Sequence, residues 1–146
     1  MPLRFVHVNV IAKDWRRLAA FYETVFGCQR VLPERDQQGQ WLDRVTGVAG
    51  SHIQGVHLRL PGGAATLEVY SYTQQAARPE IVANTPGFSH IAFAVDDVAE
   101  VSRVIVANGG SPVGEREEVE VAGIGRLEIR YLTDPEGNII EVQKWS

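Results

Sequence analysis

Phe5-Val6-His7-Val8-Asn9-Val10 and, 83 positions later, Phe88-Ser89-His90-Ile91-Ala92-Phe93 decide the fold, because they are two copies of one pattern. The same offset carries Asp14 onto Asp97 and Gly27 onto Gly110. Between those marks the apolar residues take helical spacing: Trp15, Leu18, Phe21, Tyr22 and Val25 in the first copy, Val98, Val101, Val104 and Ile105 in the second. A carboxylate at the start and a glycine at the end bracket each helix. Each copy therefore opens with a strand followed by a helix, and the chain is an internal repeat.

Three candidate strands follow each helix. In the first copy they are Cys28 to Glu34, Val56 to Leu60 and Ala65 to Tyr72, the last two joined through Pro61-Gly62-Gly63. In the second they are Val113 to Val121, Arg126 to Thr133 and Asn138 to Trp145, the last two joined by Asp134-Pro135-Glu136-Gly137, whose proline presets φ and whose glycine tolerates a positive one. The polar stretch from Gln37 to Ser51 is expected to be a long loop, and Thr73 to Gly87, with Pro79 and Pro86, to connect the copies. The predicted class is α+β, with two βαβββ modules at about 3–72 and 88–145 inside one domain covering 1–146. A module of about 70 residues with one helix would bury too little surface alone.

A helix on one face of a sheet demands apolar side chains at alternate positions, and the intervening ones turn the other way. Val6, Val8 and Val10 satisfy the helix side of the first strand, leaving Phe5, His7, Asn9 and Ile11 opposite. Leu67 and Val69 do the same in the fourth, leaving Thr66, Glu68, Tyr70 and Tyr72 opposite. The repeat places His90 with Ala92 and Ala94, and Glu141 with Ile139, Gln143 and Trp145. By the same alternation Val56, Leu58 and Leu60 turn His57 and Arg59 toward the polar face, and Leu127, Ile129 and Tyr131 turn Arg126, Glu128 and Arg130 there. Two histidines and two glutamates thus fall on matching faces.

Composition bounds the partners. With 146 residues, 45% apolar and 22% charged, the chain is an ordinary folded domain. A net charge of -4, with twelve scattered arginines among its fourteen basic residues, argues against nucleic acid. No apolar run approaches the roughly twenty residues of a membrane span. His7 and Asn9 interrupt the first one, so no export signal is recognised and a cytoplasmic location is expected. Cys28 stands alone, which rules out an internal disulfide and a cysteine zinc cluster, and its place after a helix reads as packing. His52, beside Gly50 and Ser51, is expected in an exposed loop, and Gly62-Gly63 and Gly123-Ile124-Gly125 are turns because neither precedes a helix.

His7 with Asp14 and Phe21-Tyr22-Glu23 to Gly27, Thr66-Leu67-Glu68, His90-Ile91-Ala92-Phe93-Ala94-Val95-Asp96-Asp97 and Asp134-Pro135-Glu136-Gly137-Asn138 running into Glu141 resemble the vicinal oxygen chelate superfamily, and the likeness covers nearly the whole chain. That superfamily includes glyoxalase I, methylmalonyl-CoA epimerase, extradiol dioxygenases and the fosfomycin and bleomycin resistance proteins. The resemblance implies paired βαβββ modules forming a cupped mixed sheet around one divalent metal per chain. Its ligand positions match His7, Glu68, His90 and Glu141. Two imidazoles and two carboxylates suit Zn, Ni, Co, Mn or Fe(II), and an octahedral ion would keep two places for water or a bidentate substrate. The resemblance also implies a homodimer, with the ligands drawn from one chain or from two.

The expected chemistry is that of a metal-dependent lyase or isomerase acting next to a carbonyl, with Glu141 or Glu68 as the proton-transferring base. A carboxylate at position 68 resembles glyoxalase I, whereas ring-cleaving dioxygenases generally use two histidines and one glutamate. A glutathione substrate is disfavoured, because the residues four beyond His7, Glu68 and His90 are Ile11, Tyr72 and Ala94, which are not the cationic and amide anchors that glyoxalase I uses. His57, Arg59, Tyr70, Tyr72 and Arg130 are the expected contacts of a small organic substrate. The alternatives are an Fe(II) extradiol-type dioxygenase and a resistance protein that binds a drug without chemistry.

Overall fold

A computed structural model describes residues 2–146 as two compact units, one up to Arg78 and one from Pro79 to Ser146. Each has its own mixed sheet, so the α+β class holds. The first unit runs β1 (His7–Ile11), α1 (Trp15–Phe26), β2 (Gln29–Gln38), α2 (Gln40–Thr46), β3 (His52–Arg59) and β4 (Thr66–Tyr72). Its strand order is β1-β4-β3-β2, with β1 parallel to β4 and the other neighbours antiparallel. The second unit runs β5 (His90–Ala94), α3 (Val98–Ala107), β6 (Ser111–Pro112), β7 (Glu117–Val121), β8 (Gly125–Thr133) and β9 (Ile139–Trp145). Its order is β5-β9-β8-β6, with β7 also paired to β8. Among the described residues no helix is long and apolar enough to cross a membrane.

The carboxylates that open the helices act as expected. Asp14 accepts from the backbone N–H of Arg17 at 3.2 Å, and Asp97 from that of Glu100 at 2.9 Å. The first helix stops at Gly27. The second stops at Asn108, short of the expected Gly110, because the N–H groups of Gly109 and Gly110 fold back onto the carbonyls of Val106 and Ile105. In the first unit Leu18, Ala19 and Tyr22 of α1 meet Val56, Leu58, Leu67 and Val69 of the sheet, none more than 2% exposed. Each such leucine contributes about 1.5–3 kcal/mol of burial. This packing gives the sheet a helix face and an opposite face, and the alternation through β1 and β4 follows from it.

Four expectations are corrected. The first strand begins at His7, so Phe5 and Val6 precede it, and Val6 is half exposed where a core residue was expected. The stretch from Gln37 to Ser51 is not a loop: β2 runs on to Gln38, and α2 follows, ending at Gly47, while the Asp43 carboxylate accepts from the N–H groups of Gly50 and Ser51 in the segment that leads to β3. Its buried Leu42 packs with Ile53 and Tyr70, whereas Trp41 and Val45 of the same short helix are exposed. His52 accordingly lies in β3, partly buried, with Nε2 2.6 Å from Asp36. The strand expected from Val113 to Val121 begins only at Glu117, as β7, and the two-residue β6 lies before Val113; both are antiparallel to β8.

Candidate metal centre

The β3–β4 hairpin sets His57 opposite Glu68 and Arg59 opposite Thr66, while the parallel pairing of β1 sets Asn9 opposite Glu68. Directly opposed residues share a face. His7, His57 and Glu68 therefore project from three adjacent strands on the side away from α1. Nε2 of His7 lies 2.8 Å from Oε1 of Glu68, and Nε2 of His57 lies 2.9 Å from Oε2. Asn9 donates from Nδ2 to Oε1 at 3.4 Å. The ligating atoms of His7, His57 and Glu68 all fall within 4.8 Å of one another, two imidazole nitrogens around one carboxylate, and this donor set fits a borderline divalent ion.

Burial shapes the chemistry of this group. Desolvation pushes the His57 imidazole below its ordinary pKa despite the attraction of Glu68, with Arg35 and His7 adding to the effect, so the ring is neutral at physiological pH. Tyr70 is pushed far up, by burial first and by Glu68 second, and remains a phenol. Its hydroxyl lies 2.8 Å from Nε2 of His57. The tyrosine ring occupies that place because it crosses Gly55, its partner on β3. A methyl at Gly55 would stand 2.1 Å from the Val69 carbonyl oxygen and 2.4 Å from Cδ1 of Tyr70. Gly55→Ala is expected to cost about 1–3 kcal/mol of stability, read as a lower urea midpoint; an unchanged midpoint would show that the ring does not pack there.

The second unit repeats the register. Ala92 lies opposite Glu141, as Asn9 lies opposite Glu68, so His90 and Glu141 hold the positions of His7 and Glu68. Their contact is looser, Nε2 to Oε1 being 3.6 Å. Glu141 is buried and accepts from Nε2 of Gln143, whose own oxygen accepts from the Trp145 indole. The Asp134 to Gly137 turn, closed by N–H groups of Glu136 and Asn138 on the Asp134 carboxylate and by a φ of 88° at Gly137, brings Tyr131 opposite Glu141. The Tyr131 ring centroid is 4.7 Å from that of His90, and burial, then Glu141, raises its pKa.

Most of the expected site residues of the first unit share this face. Arg59 lies on it in the open, and Tyr72 lies toward its α2 end against Leu42, Ile53 and Tyr70. Arg130 is a correction. It pairs with Val142, which is fully buried on the helix side along with Ile140 and Leu132, and its Nε donates to the carbonyl of Gly114. Arg126 and Glu128 share that parity, whereas Leu127, Ile129 and Tyr131 face Glu141's side. Sequence alternation misassigned β8 because both of its parities carry apolar residues; the buried partners on β9 settle it. Tyr131 was missed for the same reason.

A family model described as the Glyoxalase/Bleomycin resistance protein/Dioxygenase superfamily matches residues 4–142. Among curated proteins no sequence matches. A crystal structure of a glyoxalase family protein from Bacillus cereus superposes with a TM-score of 0.83 at 20% identity, covering 99% of this chain and 95% of that one. A glyoxylase/bleomycin resistance protein/dioxygenase domain from Frankia gives 0.65 at 13% identity with both chains covered in full, and a glyoxalase family protein from Enterococcus faecalis gives 0.59 at 20%, covering 97% and 96%. At such identities these likenesses concern the fold.

Proposed function

The chain belongs to the glyoxalase/bleomycin resistance protein/dioxygenase superfamily, and from that premise we propose that it is a divalent-metal-dependent lyase or isomerase acting next to a carbonyl of a small organic substrate. The proposed ligands are His7, Glu68, His90 and Glu141. The observation that carries this reading is the repeated pairing: each unit sets one histidine and one glutamate at the same register position, within 2.8 Å in the first and 3.6 Å in the second. When bound, a divalent ion supplies Lewis-acid polarisation of a carbonyl oxygen.

The two carboxylates divide the remaining work. Glu68 meets an imidazole at each oxygen and is the fixed one. Glu141 has its imidazole at 3.6 Å and otherwise neutral amide and phenol neighbours, which favours it as the base that takes a proton from the carbon beside the carbonyl and returns it. Arg59 offers a charge for an acid group, and Tyr72 an apolar wall. Arg130, on the helix face, is not part of this proposal.

Metal counting tests the ligands. The metal-free chain titrated with Zn or Co is expected to take up one ion, and His7→Ala to lose it; full occupancy in both His7→Ala and Glu141→Gln would overturn the site. Incubation in deuterium oxide with α-hydroxy-ketones, hemithioacetals and 2-substituted acyl thioesters is expected to place deuterium on the carbon beside the carbonyl of the substrate class it accepts. An activity that instead consumes oxygen and requires Fe(II) would replace this reading with a dioxygenase.

A further inference from the structure

Glu68 stands on the middle strand of three, and each of its oxygens meets a different flank: Oε1 faces His7 of β1 at 2.8 Å, and Oε2 faces His57 of β3 at 2.9 Å. The His57 ring is itself held. Its Nδ1 lies 3.2 Å from the Thr66 hydroxyl, and Tyr70 meets it edge-on, with the ring centroids 5.8 Å apart and the Tyr70 hydroxyl 2.8 Å from Nε2. Thr66 and Tyr70 sit two residues to either side of Glu68, so one strand face grips the imidazole from both ends. With Thr66 donating to Nδ1, the ring's own proton sits on Nε2, between the Tyr70 oxygen at 2.8 Å and Oε2 of Glu68 at 2.9 Å. In the second unit the position opposite Glu141 is Tyr131, so an imidazole here is a feature of the first unit.

We propose that His57 is a positioning residue that donates its Nε2 proton to Oε2 of Glu68, leaving Oε1 as the single oxygen the carboxylate offers to a divalent cation. The inference rests on the proposed metal reading and makes His57, which lies within ligating distance of His7 and Glu68, a partner of Glu68 and not a fifth ligand. A carboxylate fixed through its outer oxygen cannot rotate to chelate with both. It occupies one coordination position and leaves another for a substrate that binds through two oxygens.

The test is Co(II) titration of the metal-free full-length chain in wild type, His57→Leu, His57→Asn and His57→Gln. Loss of an outer partner of a ligating group costs about 10- to 100-fold in metal affinity, and that fall is expected for Leu and for Asn, whose amide is too short to reach Oε2. Gln places an amide N–H near the former Nε2 and is expected to recover most of the affinity. The number of coordinated imidazole nitrogens, from X-ray absorption of the cobalt protein, is expected to be the same in wild type and His57→Gln. Wild-type affinity in the Leu and Asn variants would overturn the proposal, as would an imidazole count one lower in the Gln variant, which would make His57 a ligand. If wild type binds no cobalt, or His7→Ala binds it unchanged, the metal reading itself fails. Those results separate the two failures.

Discussion

Glu141→Gln is expected to lower turnover by roughly 10²- to 10⁴-fold, the usual worth of a positioned general base. The amide is close in size to the carboxylate and can still accept from Gln143 and Tyr131, so the surrounding β8–β9 pairing should survive and far-ultraviolet dichroism should be unchanged. Deuterium wash-in at the carbon beside the carbonyl is the sensitive readout, because it reports proton removal even where product forms slowly. Glu68→Gln should act differently. Its carboxylate is tied to two imidazoles, and the expected loss is in metal affinity, with turnover recovering at high metal concentration. Wild-type wash-in by the Glu141 variant, or a metal-independent loss in the Glu68 variant, would exchange their roles.

Leu58→Ala is expected to destabilise the first unit by about 2–5 kcal/mol. Leu58 is fully buried under α1 and pairs with Leu67, itself 2% exposed. Truncation removes transfer energy and leaves a cavity between a helix and two strands that the hairpin pairing keeps from collapsing. In a chain of this size each kcal/mol corresponds to about 2–4 °C of melting temperature. Calorimetry showing a shift of less than one such step would mean that the layer repacks. The substitution also bears on the site, since Leu58 is the next residue after His57 on β3. Metal affinity measured well below the melting transition should nevertheless remain near wild type, because the two side chains point to opposite faces.

Much of the candidate site was readable from the chain because strands alternate. Once Val8, Val10, Leu67 and Val69 are assigned to the helix, His7 and Glu68 have only one side left, and the 83-residue offset carries the histidine position to the second unit. The aspartates that cap the two helices and the Asp134 to Gly137 turn were equally local, each a short-range hydrogen-bond pattern written in neighbouring residues. Local chemistry of this kind survives translation from sequence to structure because it needs no distant partner.

Pairing between distant strands is a different matter. His57 was expected against substrate, and only the β3–β4 register, with the bare Cα of Gly55 admitting the Tyr70 ring, brings it onto Oε2 of Glu68. The direction of β8 was undecidable from Leu127 to Leu132 alone, since apolar residues occur at both parities; the burial of Ile140 and Val142 on β9 turns Arg130 away from the site and Tyr131 toward it. α2 buries one of its three apolar residues, Leu42, which packs against Ile53 and Tyr70. Sequence by itself determined the repeat, the helices α1 and α3 and, within each unit, the face that carries His7 and Glu68 or His90 and Glu141, because those follow from periodicity and capping. Tertiary structure alone decided which neighbours each carboxylate meets, because the register of strands distant in the chain is set by what is buried on both sides of the pairing.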